Sequence, residues 1–134
     1  TCIQLYDATG WTYDALKSFP DTCIFIKAQF GESVRQAFFS TMFGPKFMAP
    51  HKNTQTTGLM RYHLGVVVNE LCDCVLNVGK RQYKWKMGES FVFDTTRLHS
   101  VYKSSDYQRT VLVVDFDPSM DRSCLEVATD QQQR

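Results

Sequence analysis

The stretch GLMRYHLGVVV, residues 58–68, is a short apolar run with two basic side chains set into it, Arg61 and His63. On a strand, residues two apart point to the same face. That face is not plain hydrophobic core, because a buried guanidinium needs an anion. Five runs of similar character follow: CVLNVG (74–79), RQYKWKMG (81–88), ESFVFD (89–94), RLHSVY (97–102) and RTVLVVDF (109–116). They are rich in Val, Phe, Tyr and Leu, and turn residues separate them at intervals of about ten. Such spacing predicts an antiparallel sandwich or barrel, a mainly β fold. Gly79-Lys80 supplies a hairpin turn, and Gly88 a second one. In RQYKWK, Tyr83 and Trp85 fall on one face and Lys84 and Lys86 on the other, so that strand has one wet side. Tyr83, Trp85, Gly79 and Gly88 read as core and turn residues.

Working back toward the N-terminus, RQAFFSTMF (35–43) reads as a strand leading into GPKFMAPH (44–51). GWTYDALKSFP (10–20) predicts a short helix ended by Pro20, with Trp11, Ala15 and Leu16 on one side. DTCIFIKAQF (21–30) stays open: Ile24 and Ile26 alternate as in a strand, yet Asp21 suits the cap of a helix running toward Gly31. One or two short N-terminal helices are therefore expected. The polar tail EVATDQQQR (126–134) is expected to fray.

A chain of 134 residues supports one core, so residues 1–134 are expected to form a single domain. Its 15 Lys and Arg nearly cancel its 14 Asp and Glu, which argues against a field drawing it to nucleic acid or an anionic membrane. No apolar run approaches the roughly 20 residues of a membrane span, and the start TCIQLYDATG has no leader character. The chain reads as soluble. Its start at Thr1, without an initiator Met, is compatible with a processed chain, an excised segment or one domain of a longer protein. Five cysteines, Cys2, Cys23, Cys72, Cys74 and Cys124, are an odd count at irregular spacing, which favours a reducing compartment, the cytoplasm. The C-x-C in LCDCV reads as a turn or strand edge rather than a zinc site.

Seven polar residues lie inside the apolar runs or at their ends: Ser40, His51, Arg61, His63, Asp94, His99 and Arg109. An antiparallel hairpin around KSSDYQ (103–108) would bring His99 near Arg109. Imidazoles and guanidiniums converging inside a barrel suggest a metal that holds a small anionic ligand.

From about residue 39 to 118 the sequence resembles the aspartyl/asparaginyl beta-hydroxylase family of Fe(II)- and 2-oxoglutarate-dependent dioxygenases. The resemblance is carried, in order, by FFSTMFGPKFMAPH, LMRYHLGVVV, LNVGKRQYKWKMGESFVFD, RLHSVY and RTVLVVDFDP. It implies a double-stranded beta-helix, a cupin-like jelly roll. It also implies hydroxylation of an Asp/Asn-type side chain or a related small substrate, with 2-oxoglutarate and O2 converted to succinate and CO2. A protein side chain, a free amino acid and a lipid-linked acyl chain are the substrate classes it brings.

Residue by residue, His51 and His99 match the iron ligands, and imidazole is a good ligand for Fe(II). Arg61 and His63 match the pair at the 1-carboxylate of 2-oxoglutarate. Arg109 matches the arginine at its 5-carboxylate, where a rigid fork suits a carboxylate better than lysine does. Ser40 matches the hydroxyl that helps Arg109. Two positions depart from the family pattern. Asn53 stands where glycine is usual and water takes the third metal position, so its amide is a weak ligand, a holder of the ligating water, or turned away. Asp94 is followed by Thr95 rather than a second acid, which bears on substrate choice. The rival expectations are a non-catalytic barrel in which Arg61 and Arg109 hold a dicarboxylate without iron, and an interaction module without chemistry.

Overall fold

The structure, a computed structural model, describes residues 1–120. The tail at 126–134 and Cys124 lie outside the described residues. Ten strands and two helices run in the order β1 (Cys2–Asp7), β2 (Gly10–Trp11), α1 (Tyr13–Ser18), α2 (Pro20–Phe30), β3 (Val34–Met42), β4 (Lys46–His51), β5 (Met60–Val68), β6 (Cys74–Val78), β7 (Arg81–Lys84), β8 (Ser90–Phe93), β9 (His99–Lys103) and β10 (Arg109–Phe116), with a 3₁₀ turn at Gly31–Ser33. They form a six-stranded sheet, β2-β1-β3-β10-β5-β8, and a four-stranded sheet, β4-β9-β6-β7. From β3 onward consecutive strands mostly alternate between the two sheets. That is the jelly-roll form of the antiparallel sandwich or barrel, the form the family resemblance implies.

Side-chain parity explains the layers. β10 lies between β3 and β5 and is covered on both faces, which is why RTVLVVDF reads as an almost unbroken apolar run. Its even positions Leu112, Val114 and Phe116 join Leu5, Ala15, Ile26 and Phe30 in a core beneath the helices. Its odd positions Val111 and Val113 join Leu76, Trp85, Phe93 and Val101 in a second core between the sheets. The same alternation on β5 sends Tyr62 and Leu64 toward the helices. Arg61 and His63 therefore turn inward with Val113 and Asp115, their register partners on β10.

The open reading of residues 21–30 resolves as helix. Pro20 sits in the first turn, where its missing N–H costs nothing, and Cys23, Ile26 and Phe30 form the buried stripe. Asp21 lies within the first turn and is not the cap. Thr12 caps α1: its Oγ1 accepts from Ala15 N at 3.1 Å and donates to Gln4 O at 3.0 Å. Of the three residues assigned to one side of this helix, Ala15 is buried, Leu16 is exposed and Trp11 belongs to β2.

Two turn assignments separate. Gly79, at φ 57°, opens the two-residue β6–β7 turn, with Val78 paired to Arg81. Gly88 does not make a hairpin, because β7 pairs with β6 whereas β8 pairs with β5 in the other sheet. β9 and β10 likewise lie in different sheets, so no hairpin joins His99 to Arg109.

The crossover from β7 to β8 is clamped onto β5 at Gly65. Gly65 N donates to Glu89 O at 3.0 Å, Gly88 N donates to Gly65 O at 2.8 Å, and Gly65 bridges to Met87. A Cβ on Gly65 would run into the backbone carbonyl of Lys86. Gly65→Ala is thus expected to cost about 2–3 kcal/mol through overpacking. In thermal unfolding the Tm should fall by about 5–10 °C; an unchanged Tm would show that the crossover gives way freely.

Candidate active site

A cavity of about 140 Å³ opens between the two sheets, and six of the expected residues line it: Ser40, His51, Arg61, His63, His99 and Arg109. Larger clefts of about 430 and 410 Å³ lie beside Met87 and beside Arg97. Three buried polar side chains, His63, His99 and Arg109, converge in the smaller one.

His51 ends the edge strand β4 and His99 opens β9, and their register pairs them directly. The ring centroids stand 4.3 Å apart. Each Nδ1 bonds to a backbone carbonyl, His51 to Ala49 at 2.8 Å and His99 to Arg97 at 2.7 Å. A carbonyl only accepts, so both Nδ1 atoms carry the proton and both Nε2 lone pairs are left to a metal. This is the outer-shell arrangement that orients ligating histidines. Burial holds the His99 pKa below its ordinary value, against the Arg97 carbonyl bond, which raises it.

Arg109 is 2% exposed. Its Nη2 donates to Ser40 Oγ at 3.0 Å and lies 3.3 Å from Ser40 O. Its guanidinium carbon stands 4.6 Å from the centroid of the Trp85 ring. Its Nε is buried with no hydrogen-bond partner. The ion pairs among the described residues, Arg35 with Asp117 and Arg61 with Asp115, do not include it. Burial pushes the guanidinium down to about 10, which leaves it charged at neutral pH. A buried cation with no counter-charge is costly, and an anionic ligand in the cavity would relieve that cost.

Arg61 already has an anion. Its Nε and Nη2 donate to the two oxygens of Asp115, at 2.7 and 2.9 Å, in a bidentate pair directly across the β5–β10 ladder. Asp115 is 1% exposed. Sequence reading passed over it, although an acid sharing its strand face with Arg109 inside an apolar run was a usable signal.

His63 is buried between Trp85, Phe91 and Phe93. Trp85 Nε1 donates to its Nδ1 at 3.0 Å. An indole N–H only donates, so the His63 proton sits on Nε2. Burial first, then the charges of Arg61, Arg109 and His99, hold its pKa well below the ordinary value. Unfolded histidine titrates near about 6.5. Below that pH the unfolded chain takes up protons that the folded His63 refuses, so stability is full above about 6.5 and falls as the pH drops toward the folded pKa. His63→Gln, which keeps an acceptor for the indole, is expected to flatten the decline of Tm between pH 7 and pH 5. A variant curve parallel to that of the wild type would exclude this origin.

Asn53 does not line the cavity. Its Oδ1 accepts from Gln55 N at 3.0 Å, and its own N–H donates to Thr95 O at 2.9 Å, which ties the segment after His51 to the loop before His99. Asp94 shapes that loop, accepting from Thr96 N at 2.9 Å and from Thr96 Oγ1 at 2.6 Å. Among the described residues no three His, Cys, Asp or Glu side chains gather as a metal site; His51 and His99 are the two such side chains that line this cavity beside His63.

Among solved structures, the DMSP lyase DddQ from Ruegeria pomeroyi matches 87% of this chain and 46% of its own, at TM-score 0.55 and 11% identity. The cupin domain of Schizosaccharomyces pombe Cnp3 matches 72% of this chain and 61% of its own, at TM-score 0.51 and 7% identity. At those identities the likeness is one of fold, the cupin jelly roll. In sequence, the chain is 32% identical over 81 residues to the ornithine lipid ester-linked acyl 2-hydroxylase of Rhizobium tropici, a match covering 60% of this chain and 28% of that protein. The profile of the aspartyl/asparaginyl beta-hydroxylases matches residues 1–118. By that match this chain belongs to the aspartyl/asparaginyl beta-hydroxylase family.

Proposed function

We propose that this protein is an Fe(II)- and 2-oxoglutarate-dependent hydroxylase, with residues 1–134 as one dioxygenase domain. The observation that carries the reading is Arg109, a buried cation with no counter-charge that lines the same cavity as a histidine pair whose Nε2 atoms are both left to a metal. The overall reaction is R–H + O2 + 2-oxoglutarate giving R–OH + succinate + CO2. Fe(II) held by His51 and His99 would supply the redox chemistry with O2 by which a C–H bond becomes C–OH.

The protein's own groups have separate tasks. Arg109 and Ser40 Oγ take the 5-carboxylate, which replaces an uncompensated charge by a charge-assisted pair. His63, neutral, donates Nε2–H toward the 1-carboxylate. Arg61, its fork held by Asp115, keeps Nη1 outside that pair and adds positive charge at the same end. Phe38, Met42, Leu76 and Val113 give the cavity apolar walls that exclude water and strengthen each of these contacts. With the Asn53 oxygen bonded to Gln55, a water is the better candidate for the third metal position.

The prime substrate is an Asp/Asn-type side chain or a related small substrate, and the lipid acyl 2-hydroxylase among the relatives keeps acyl chains within the class. No helix of the described residues is long and apolar enough to cross a membrane. Cys2, Cys23, Cys72 and Cys74 are free thiols, which supports a reducing compartment such as the cytoplasm.

Calorimetric titration with 2-oxoglutarate, in the absence and presence of Mn(II) as a redox-silent metal, tests the reading. The keto acid should bind far more tightly with the metal. Equal affinity in both conditions would favour the non-catalytic dicarboxylate barrel.

A further inference from the structure

Trp85 touches both anion-binding groups from one ring. It is 2% exposed and follows β7 at the crossover between the sheets. Its indole N–H donates to His63 Nδ1 at 3.0 Å, with the two rings inclined by 21°. Its face carries the Arg109 guanidinium at 4.6 Å. The crossover is locked to β5 at Gly65, two residues beyond His63, by the Gly65–Glu89 and Gly88–Gly65 hydrogen bonds. A Cβ at Gly65 would collide with the Lys86 carbonyl, so glycine here lets the segment that carries Trp85 lie close against β5.

We propose that Trp85 is a positioning residue of the co-substrate pocket, fixing His63 as its Nε2–H tautomer and steadying Arg109 with its ring face, so that one side chain aims the donors for both carboxylates. The inference rests on the 2-oxoglutarate reading for what the donors hold, and on this geometry alone for how they are held. An imidazole has two neutral tautomers, and only the one with its proton on Nε2 presents a donor to the cavity. Without the indole N–H, Nδ1 is free to carry the proton and Nε2 then meets a carboxylate with a lone pair. Trp85→Phe removes the N–H and keeps an aromatic face over Arg109.

The first readout is the ring ¹⁵N spectrum of His63 in the metal-free, ligand-free protein, assigned by its loss in His63→Gln. The wild type should show a protonated Nε2 and an unprotonated Nδ1, and Trp85→Phe should show a mixture of tautomers. The second is turnover: the half-saturating concentration of 2-oxoglutarate should rise about tenfold, the usual worth of one buried hydrogen bond, with kcat little changed. A wild-type His63 protonated on Nδ1 overturns the proposal without any variant being needed. A Trp85→Phe protein of lower Tm with unchanged 2-oxoglutarate dependence makes Trp85 a core filler and also overturns it. A wild type that shows the Nε2–H tautomer yet binds no 2-oxoglutarate overturns the co-substrate reading and supports the Trp85–His63 bond.

Discussion

Arg109→Met is expected to weaken 2-oxoglutarate binding about 100-fold while leaving the ligand-free protein as stable as the wild type, or more so. Methionine is close to arginine in volume and carries no charge. In the ligand-free protein it replaces a guanidinium that is buried, has an orphan Nε and pairs with no carboxylate, so a desolvation cost disappears. In the ligand complex the same change strips the 5-carboxylate of its counter-charge, a loss of about 3 kcal/mol or about 100-fold in affinity. Thermal unfolding and 2-oxoglutarate titration of one variant read both effects. A structural role for Arg109 gives the opposite pattern, with a lower Tm and an unchanged affinity, and that pattern would remove it from the pocket.

His51→Ala is expected to abolish stoichiometric Fe(II) binding and, with it, succinate production. His51 is exposed at the end of an edge strand, so its truncation falls among surface changes within about 0.5 kcal/mol of neutral. Loss of a direct ligand should exceed the 10- to 100-fold that loss of an outer-shell partner typically costs. His99→Ala should do the same to iron, with some loss of stability because His99 is 7% exposed between the sheets. Iron retained by both single variants at wild-type stoichiometry would put the metal elsewhere.

Parity carried most of what was legible in the sequence. The two-residue spacing of Arg61 and His63 set both on the inner face of β5, as the register with β10 confirms. The ten-residue rhythm of apolar runs led to an antiparallel sandwich or barrel because each run is a strand covered on at least one face, and the family resemblance narrowed that to the jelly roll. β1 escaped notice for a physical reason: it lies toward the edge of the sheet and buries only Leu5 fully, so CIQLYD shows no alternation to read. The Gly88 turn was misread because a glycine shows that the chain turns and not which sheet receives the next strand. The demand for an anion beside Arg61 was sound, and the chain itself answers it with Asp115. Trp85 looked like core and is core; its indole N–H acquires a role only where a distant strand brings His63 to it.

The central claim is that one cavity holds Fe(II) on His51 and His99 and 2-oxoglutarate on Arg109. Anaerobic addition of Fe(II) and then 2-oxoglutarate to the purified protein, followed in the visible region and then by admission of O2, tests it most directly. The account predicts a weak absorption band that needs both additions, decays when O2 enters and leaves succinate behind. No band and no succinate, from a protein that still binds 2-oxoglutarate, would contradict it and leave a dicarboxylate-binding barrel.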